Sequence, residues 1–252
     1  MTAFSTVLRL ETVDSTNLFL RAMAAEGAPH GTVVLAREQT GGRGRSGRSF
    51  SSPKDMGIWC SVLLRLSVPP EQLLCLTPIT AEAVRRALVR TTGLDIGIKW
   101  TNDLVCGGRK LCGILTELSV IGGTVDYAIL GIGINCRQQP EDFPPEVQSM
   151  ATSLRQLLGR DPDRETILTA LLQELSEAVQ ALTTDPTPWM QAYKAHCITL
   201  GRDVKIVRGD RVQLAHVDDM NEQGALLVTL SDGTKETILS GEVSVRGMYG
   251  YL

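Results

Sequence analysis

The sequence predicts an α+β protein, with a mixed β-sheet flanked by helices over residues 1–200 and a small β-barrel over residues 201–252. Three observations lead there. Apolar residues at helical spacing alternate with β-rich runs through the first 200 positions. Two of those runs meet at Val120-Ile-Gly-Gly123, a hairpin signal. Beyond about Gly201 the segments become short, alternating and punctuated by turns, the habit of a small barrel. A chain of 252 residues can hold one large core and one small one.

In order, residues 6–13 read as a strand. Asp14-Ser-Thr-Asn17 then offers N-caps for a helix running to Gly27, with Leu18, Ala22 and Ala25 on one face. Residues 32–36 and 57–66 are β-rich. Residues 70–91 turn helical through Leu73, Leu74 and Leu76, then Ala83, Val84, Ala87 and Leu88, and Pro78 is a point where that helix can split. Strands are expected over 96–100, 111–118 and 124–134. After a loop with Pro140, Pro144 and Pro145, residues 164–182 form an amphipathic helix on Leu168, Leu171, Leu172, Leu175, Val179 and Leu182. A further helix is expected over 189–195. Barrel strands are expected over 204–207, 212–215, 225–230, 236–239 and 242–246, and no helix-turn-helix pattern precedes the first strand of the chain.

Composition narrows the classes of function. The 25 basic and 28 acidic side chains leave a net charge of −3, so no global positive field favours nucleic acid. The six cysteines show no CxxC pair and no regular framework, and several sit in apolar runs, as small buried hydrophobes do. A reducing cytoplasm is the expected compartment. The three histidines are far apart in sequence, which argues against a His-based metal site. There is no signal-peptide pattern and no apolar stretch of bilayer-spanning length, so no membrane partner is expected.

One run stands out: Gln39-Thr-Gly-Gly-Arg-Gly-Arg-Ser-Gly-Arg-Ser-Phe50. Glycine lets the backbone curl and present its N–H groups. Arg43, Arg45 and Arg48 add planar, permanently charged forks suited to phosphate or carboxylate. The run lacks the Gly-Lys-Ser/Thr ending of a Walker loop and does not open a helix as GxGxxG does. It reads as a mobile loop that orders around an anion. Lys99-Trp-Thr-Asn-Asp103 closes an expected strand, Lys110-Leu-Cys-Gly-Ile-Leu115 begins another, and Ile132-Gly-Ile-Asn135 ends a third. In isolation each has a structural reading: an exposed turn, a lysine snorkelling to water, a glycine marking close backbone approach.

Together and in this order, these residues resemble the biotin protein ligases. The similar stretches are Asp14-Ser-Thr-Asn17, Gly42-Arg-Gly-Arg-Ser-Gly-Arg48, Lys99-Trp100 with Asn102-Asp103, Lys110-Leu111 with Gly113-Ile-Leu115, and Gly131 with Gly133-Ile-Asn135. Ala151-Thr-Ser-Leu154 and Gly241-Glu-Val-Ser-Val-Arg246 extend the resemblance over essentially the whole chain. Phe50 stands where that family usually has tryptophan, and Thr101 where it usually has proline, which would loosen the turn presenting Asn102 and Asp103. Some members begin with a DNA-binding winged helix; this sequence begins at the catalytic segment, so the monofunctional form is expected.

The resemblance implies a class II synthetase-like catalytic domain with an SH3-like C-terminal barrel. It implies that biotin and ATP give biotinyl-5'-AMP and pyrophosphate, with Mg²⁺ present. Biotin then passes to a lysine of a biotin carboxyl carrier protein. By the same resemblance Ser15, Thr16, Gln39, Gly42, Arg43, Lys110 and Gly113 would bind biotin. Arg43, Arg45, Arg48, Asn102 and Asn135 would bind ATP or the adenylate. Lys110 and Arg45 would be catalytic, and Asp103 is the candidate for Mg²⁺. Sheet-mediated homodimers occur in that family, so monomer and dimer both stay open. The nearest rival is a lipoate–protein ligase; a more distant one is a non-enzymatic nucleic-acid-binding module, which the acidic balance and sparse aromatics oppose.

Overall fold

The structure is a computed structural model that describes residues 4, 6–122, 124–239 and 244–247. β1 (Thr6–Val13) leads through α1 (Thr16–Ala25) into β2 (Thr32–Gln39), which runs parallel to β1. The next strands are β3 (Gly57–Leu64), β4 (Gly97–Lys99), β5 (Asp103–Cys106), β6 (Arg109–Ile121) and β7 (Thr124–Asn135). They form one mixed sheet in the order β1-β2-β3-β7-β6-β5-β4, with β1–β2 the parallel pair and the rest antiparallel. β3 is buried along all eight residues, which explains its unbroken apolar run.

The helices divide between the two faces. α2 (Leu76–Thr92) and α4 (Arg164–Thr183) pack over Ile58, Cys60, Val62 and Leu64, the even positions of β3, in the main core. On the opposite face α1 lays Leu20 and Ala24 over Val34, Leu63, Tyr127 and Ile129. The period-two alternation of strand side chains makes this division possible. α3 (Leu154–Leu158) and α5 (Thr187–Ala195) complete the layer.

Several expectations need correction. Residues 70–75 form a separate 3₁₀ turn, and Pro78 sits in the first turn of α2, where no N–H is needed, so it breaks nothing. β5 and α3 were not expected: four and five residues are too few for a period to register. The Asp14–Asn17 segment caps little. Ser15 is the N-cap residue of α1 but makes no side-chain capping bond, because this segment's polar atoms turn to the cleft described below.

The C-terminal strands are β8 (Asp203–Arg208), β9 (Arg211–Met220), β10 (Leu226–Leu230), β11 (Lys235–Ile238) and β12 (Ser244–Gly247). They form a five-stranded sheet in the order β11-β10-β9-β8-β12. The expected barrel is therefore an open sheet: among the described residues no pairing joins β11 to β12. Gly241 to Val243, part of the last motif and expected strand, lie outside the described residues. The inward residues Val204, Ile206, Val217, Leu226 and Val228 belong to the same apolar cluster as α2 and α4. No helix among the described residues is long and apolar enough to cross a membrane.

Candidate active site

A cleft of about 480 Å³ opens on the α1 face of the sheet, at the end away from Leu20. Its floor has a simple origin. Gly131 pairs with Ser61 and Leu115, and Gly133 pairs with Trp59 and Gly113, so three glycines lie together where the apolar layer would otherwise continue. A Cβ at Gly131 would collide with the Asn17 side chain, and one at Gly133 would lie 2.7 Å from the Phe50 ring. Missing side chains make the cavity.

A polar chain surrounds its inner end. The Thr16 N–H and hydroxyl both donate to Gln39 Oε1, at 2.9 and 3.0 Å. Gln39 Nε2 donates to Ser52 Oγ at 2.8 Å, and Ser52 reaches the Phe50 carbonyl at 3.1 Å. Ser61 Oγ lies 2.7 Å from Thr16 Oγ1 and 2.6 Å from Asn17 Oδ1. These groups are buried and partnered, as polar atoms inside a fold must be.

The Arg/Gly run is a hairpin over the cleft. Phe50 N–H donates to the Gly42 carbonyl at 2.9 Å, Gly44 N–H to the Arg48 carbonyl at 2.7 Å, and Arg45–Gly47 make one 3₁₀ turn. A side chain at Gly42 would strike the Phe50 carbonyl. Arg45 points inward and donates to Asn102 Oδ1 at 2.9 Å. Burial draws its pKa down against the opposing pull of Asp103, yet a guanidinium keeps its charge under such a shift. Arg43 lines the cleft and ion-pairs with Glu117 at 3.3 Å. Arg48 shapes the hairpin through its backbone; its exposed side chain does not line the cleft.

Lys110 enters from β6. Its Nζ lies 2.7 Å from Asp103 Oδ1 and 5.7 Å from the centre of the Phe50 ring. Its backbone is clamped on both sides: Lys110 N–H donates to the Met150 carbonyl at 2.7 Å, and Thr152 N–H to the Lys110 carbonyl at 2.9 Å. This explains the Ala151-Thr-Ser-Leu154 motif. Asn135 belongs to the same brace. Its Nδ2 donates to the Thr152 carbonyl at 3.0 Å and its Oδ1 accepts from Gln138 at 3.2 Å, so its side chain supports the Lys110 segment and does not line the cleft.

The turn carrying Asn102 is tied down from several sides. Trp100 N–H donates to Thr199 Oγ1 at 2.9 Å, its indole N–H to the Gly224 carbonyl at 2.8 Å, and the Tyr193 hydroxyl to the Thr101 carbonyl at 3.1 Å. Asn102 Nδ2 donates to the Ile114 carbonyl at 2.8 Å. These bonds provide the fixity that proline at position 101 was expected to supply.

Ser15, Thr16, Gln39, Arg43, Arg45, Asn102, Lys110 and Gly113 thus converge on one cavity, with Gly42 and Asp103 directly behind its wall. Sequence reasoning missed Ser61 and Glu117, which lie in strands without a local motif. Cys60 also contributes to the lining, its thiol pushed up to about 12 by burial and so neutral.

Comparison with known proteins agrees with this geometry. Residues 10–135 match the biotin/lipoate A/B protein ligase family, and residues 199–246 match the biotin protein ligase C-terminal domain. The chain is 34% identical to the biotin–[acetyl-CoA-carboxylase] ligase of Mycobacterium tuberculosis, covering 91% of this chain and 85% of that protein. It belongs to the biotin protein ligase family. It is thus an enzyme of the ligase class. The bifunctional ligase/repressor BirA of Bacillus subtilis is 32% identical, over 93% of this chain and 72% of its own length. Among solved structures, the Aquifex aeolicus biotin protein ligase in complex with biotin and ATP superposes with a TM-score of 0.83, at 31% identity, covering 97% of this chain and all of that one.

Proposed function

We propose that this ligase joins biotin to ATP, forming biotinyl-5'-AMP and pyrophosphate, and then passes biotin to one lysine of a biotin carboxyl carrier protein. The observation that carries the proposal is the convergence of Lys110 and Arg45 on the cleft whose inner end is ringed by Ser15, Thr16 and Gln39. Biotin is a neutral ureido bicycle with an apolar chain ending in a carboxylate. The polar ring suits the ureido group, the glycine floor gives the bicycle room, and Lys110 suits the carboxylate.

In the first step a carboxylate oxygen attacks the α-phosphorus of ATP and pyrophosphate leaves. Two anions must approach, so fixed cations at the meeting point lower the barrier. Arg45, held by Asn102, faces the phosphates; Lys110, fixed by the Thr152 brace, stands beside the carboxylate. Arg43 supports the closed loop, and Arg48 stays nearer solvent. In the second step a lysine amine attacks the acyl carbon, loses a proton, and AMP leaves. The hairpin and the Phe50 ring keep water from the acyl-phosphate until the carrier arrives.

Among the described residues no cluster of three or more His, Cys, Asp or Glu side chains forms a metal cage. That donor set fits a Mg²⁺ ion held chiefly by triphosphate oxygens, with Asp103 as the protein carboxylate at hand. When bound, the ion would neutralise phosphate charge. We place the catalytic unit at residues 1–200 and a smaller unit at 201–252. The cytoplasm is the compartment where ATP and a carboxylase carrier would both be met.

Biotin-dependent exchange of pyrophosphate into ATP tests the first half-reaction, with lipoate as the control acid. Exchange with biotin and not lipoate is the expected result. Exchange with lipoate alone would move the enzyme to the lipoate side of its family.

A further inference from the structure

Glu117 on β6 is the meeting point of three elements. Its Oε1 lies 2.7 Å from Arg21 of α1 and 3.3 Å from Arg43 of the hairpin, and its Oε2 accepts from Asn17 Nδ2 at 2.8 Å. The carboxylate is 16% exposed, whereas Arg21 and Arg43 are 46% and 41% exposed. Asn17 is buried, and its other amide atom meets Ser61, which meets Thr16, which meets Gln39. Gln39 then returns through Ser52 to Phe50 at the far end of the hairpin. The hairpin is thus held at both ends by one hydrogen-bonded circuit that also sets the orientation of the cleft's polar atoms, and Glu117 is the carboxylate at its head.

We propose that Glu117 is a positioning residue that couples closure of the Arg/Gly hairpin to the arrangement of the cleft's polar wall. It touches no reacting atom. It holds Asn17 in the rotamer that accepts from Ser61, and it draws Arg43 down over the cleft by charge. A ligand that settles against Thr16 and Asn17 stabilises the same circuit that latches the hairpin, so occupancy and closure reinforce each other. The part of the proposal that concerns adenylate retention rests on the biotin-adenylating reading; the latch itself does not.

The test uses the full chain and four variants: Glu117→Gln, Arg43→Met, the double variant, and Arg21→Met as control. Two rates are read. One is tryptic cleavage after Arg45 or Arg48, which reports hairpin opening. The other is release of biotinyl-5'-AMP formed from biotin, ATP and Mg²⁺. Glu117→Gln keeps the shape and removes the charge, so both rates should rise roughly five-fold, as suits a half-exposed ion pair. Arg21→Met should stay near wild type, and the double variant should match Arg43→Met alone, because both changes break one contact. Wild-type rates for Glu117→Gln, or effects of Glu117→Gln and Arg43→Met that multiply, would overturn the proposal. If Glu117→Gln does not fold, Glu117→Asp keeps the charge, shortens its reach and decides by the same two rates. If wild type forms no adenylate, the biotin reading fails while the cleavage comparison still judges the latch.

Discussion

Lys110 illustrates how one side chain acquires a role from its surroundings. A lysine opening a strand ordinarily snorkels to water; here Asp103, the Phe50 ring and the Thr152 clamp hold the ammonium at the cleft. Lys110→Ala should lower adenylate formation by about 10²–10³-fold while the melting temperature changes little, as for loss of one transition-state donor. A near-normal rate of pyrophosphate release would refute that role. Arg45→Ala should leave biotin binding measurable by calorimetry but speed loss of the adenylate, since it removes the hairpin's bond to Asn102. Unchanged release would count against it. At this scale the motifs were legible because glycine and arginine in a short run have few structural uses. Glu117 and Ser61 were not legible, because their partners are set by strand pairing and not by neighbours in sequence.

Among elements, α2 carries a buried acid. Burial alone would raise the Glu82 pKa, but hydrogen bonds from Arg85 and Arg86 outweigh it and hold the carboxyl below its ordinary value. A depressed folded-state pKa gives stability that is present above the unfolded-state pKa and lost as pH falls through the folded one. Glu82→Leu should therefore cost about 3 kcal/mol at neutral pH by stranding two guanidiniums, and the cost should shrink in acid. Urea denaturation at two pH values checks both points; an equal cost at both would contradict the sign. Long elements such as α4 and β7 could be read from their periods. β5 and α3 could not, nor could the continuation of β9 through His216, Asp218 and Asp219, whose polar residues interrupt the apolar pattern.

Over the whole molecule, the C-terminal sheet is bound to the cleft by the Trp100–Gly224 bond and by Lys194 against Asp219 at 2.6 Å. Turn composition alone pointed to a barrel, because strand count is local information whereas closure depends on how the first and last strands meet. Trp100→Phe keeps the ring and strands a buried carbonyl, so it should cost about 1–3 kcal/mol and raise the KM for ATP through the Asn102 turn. A stability loss with an unchanged KM would confine Trp100 to packing. The central claim, that this cleft makes and transfers an activated biotin, is tested most directly by mass. The full chain would be incubated with biotin, ATP, Mg²⁺ and a purified biotin carboxyl carrier domain, and the carrier's intact mass read. One biotinyl group on one lysine, lost in Lys110→Ala, is the predicted result. A carrier left unmodified by biotin, or modified only when lipoate is supplied, would contradict it.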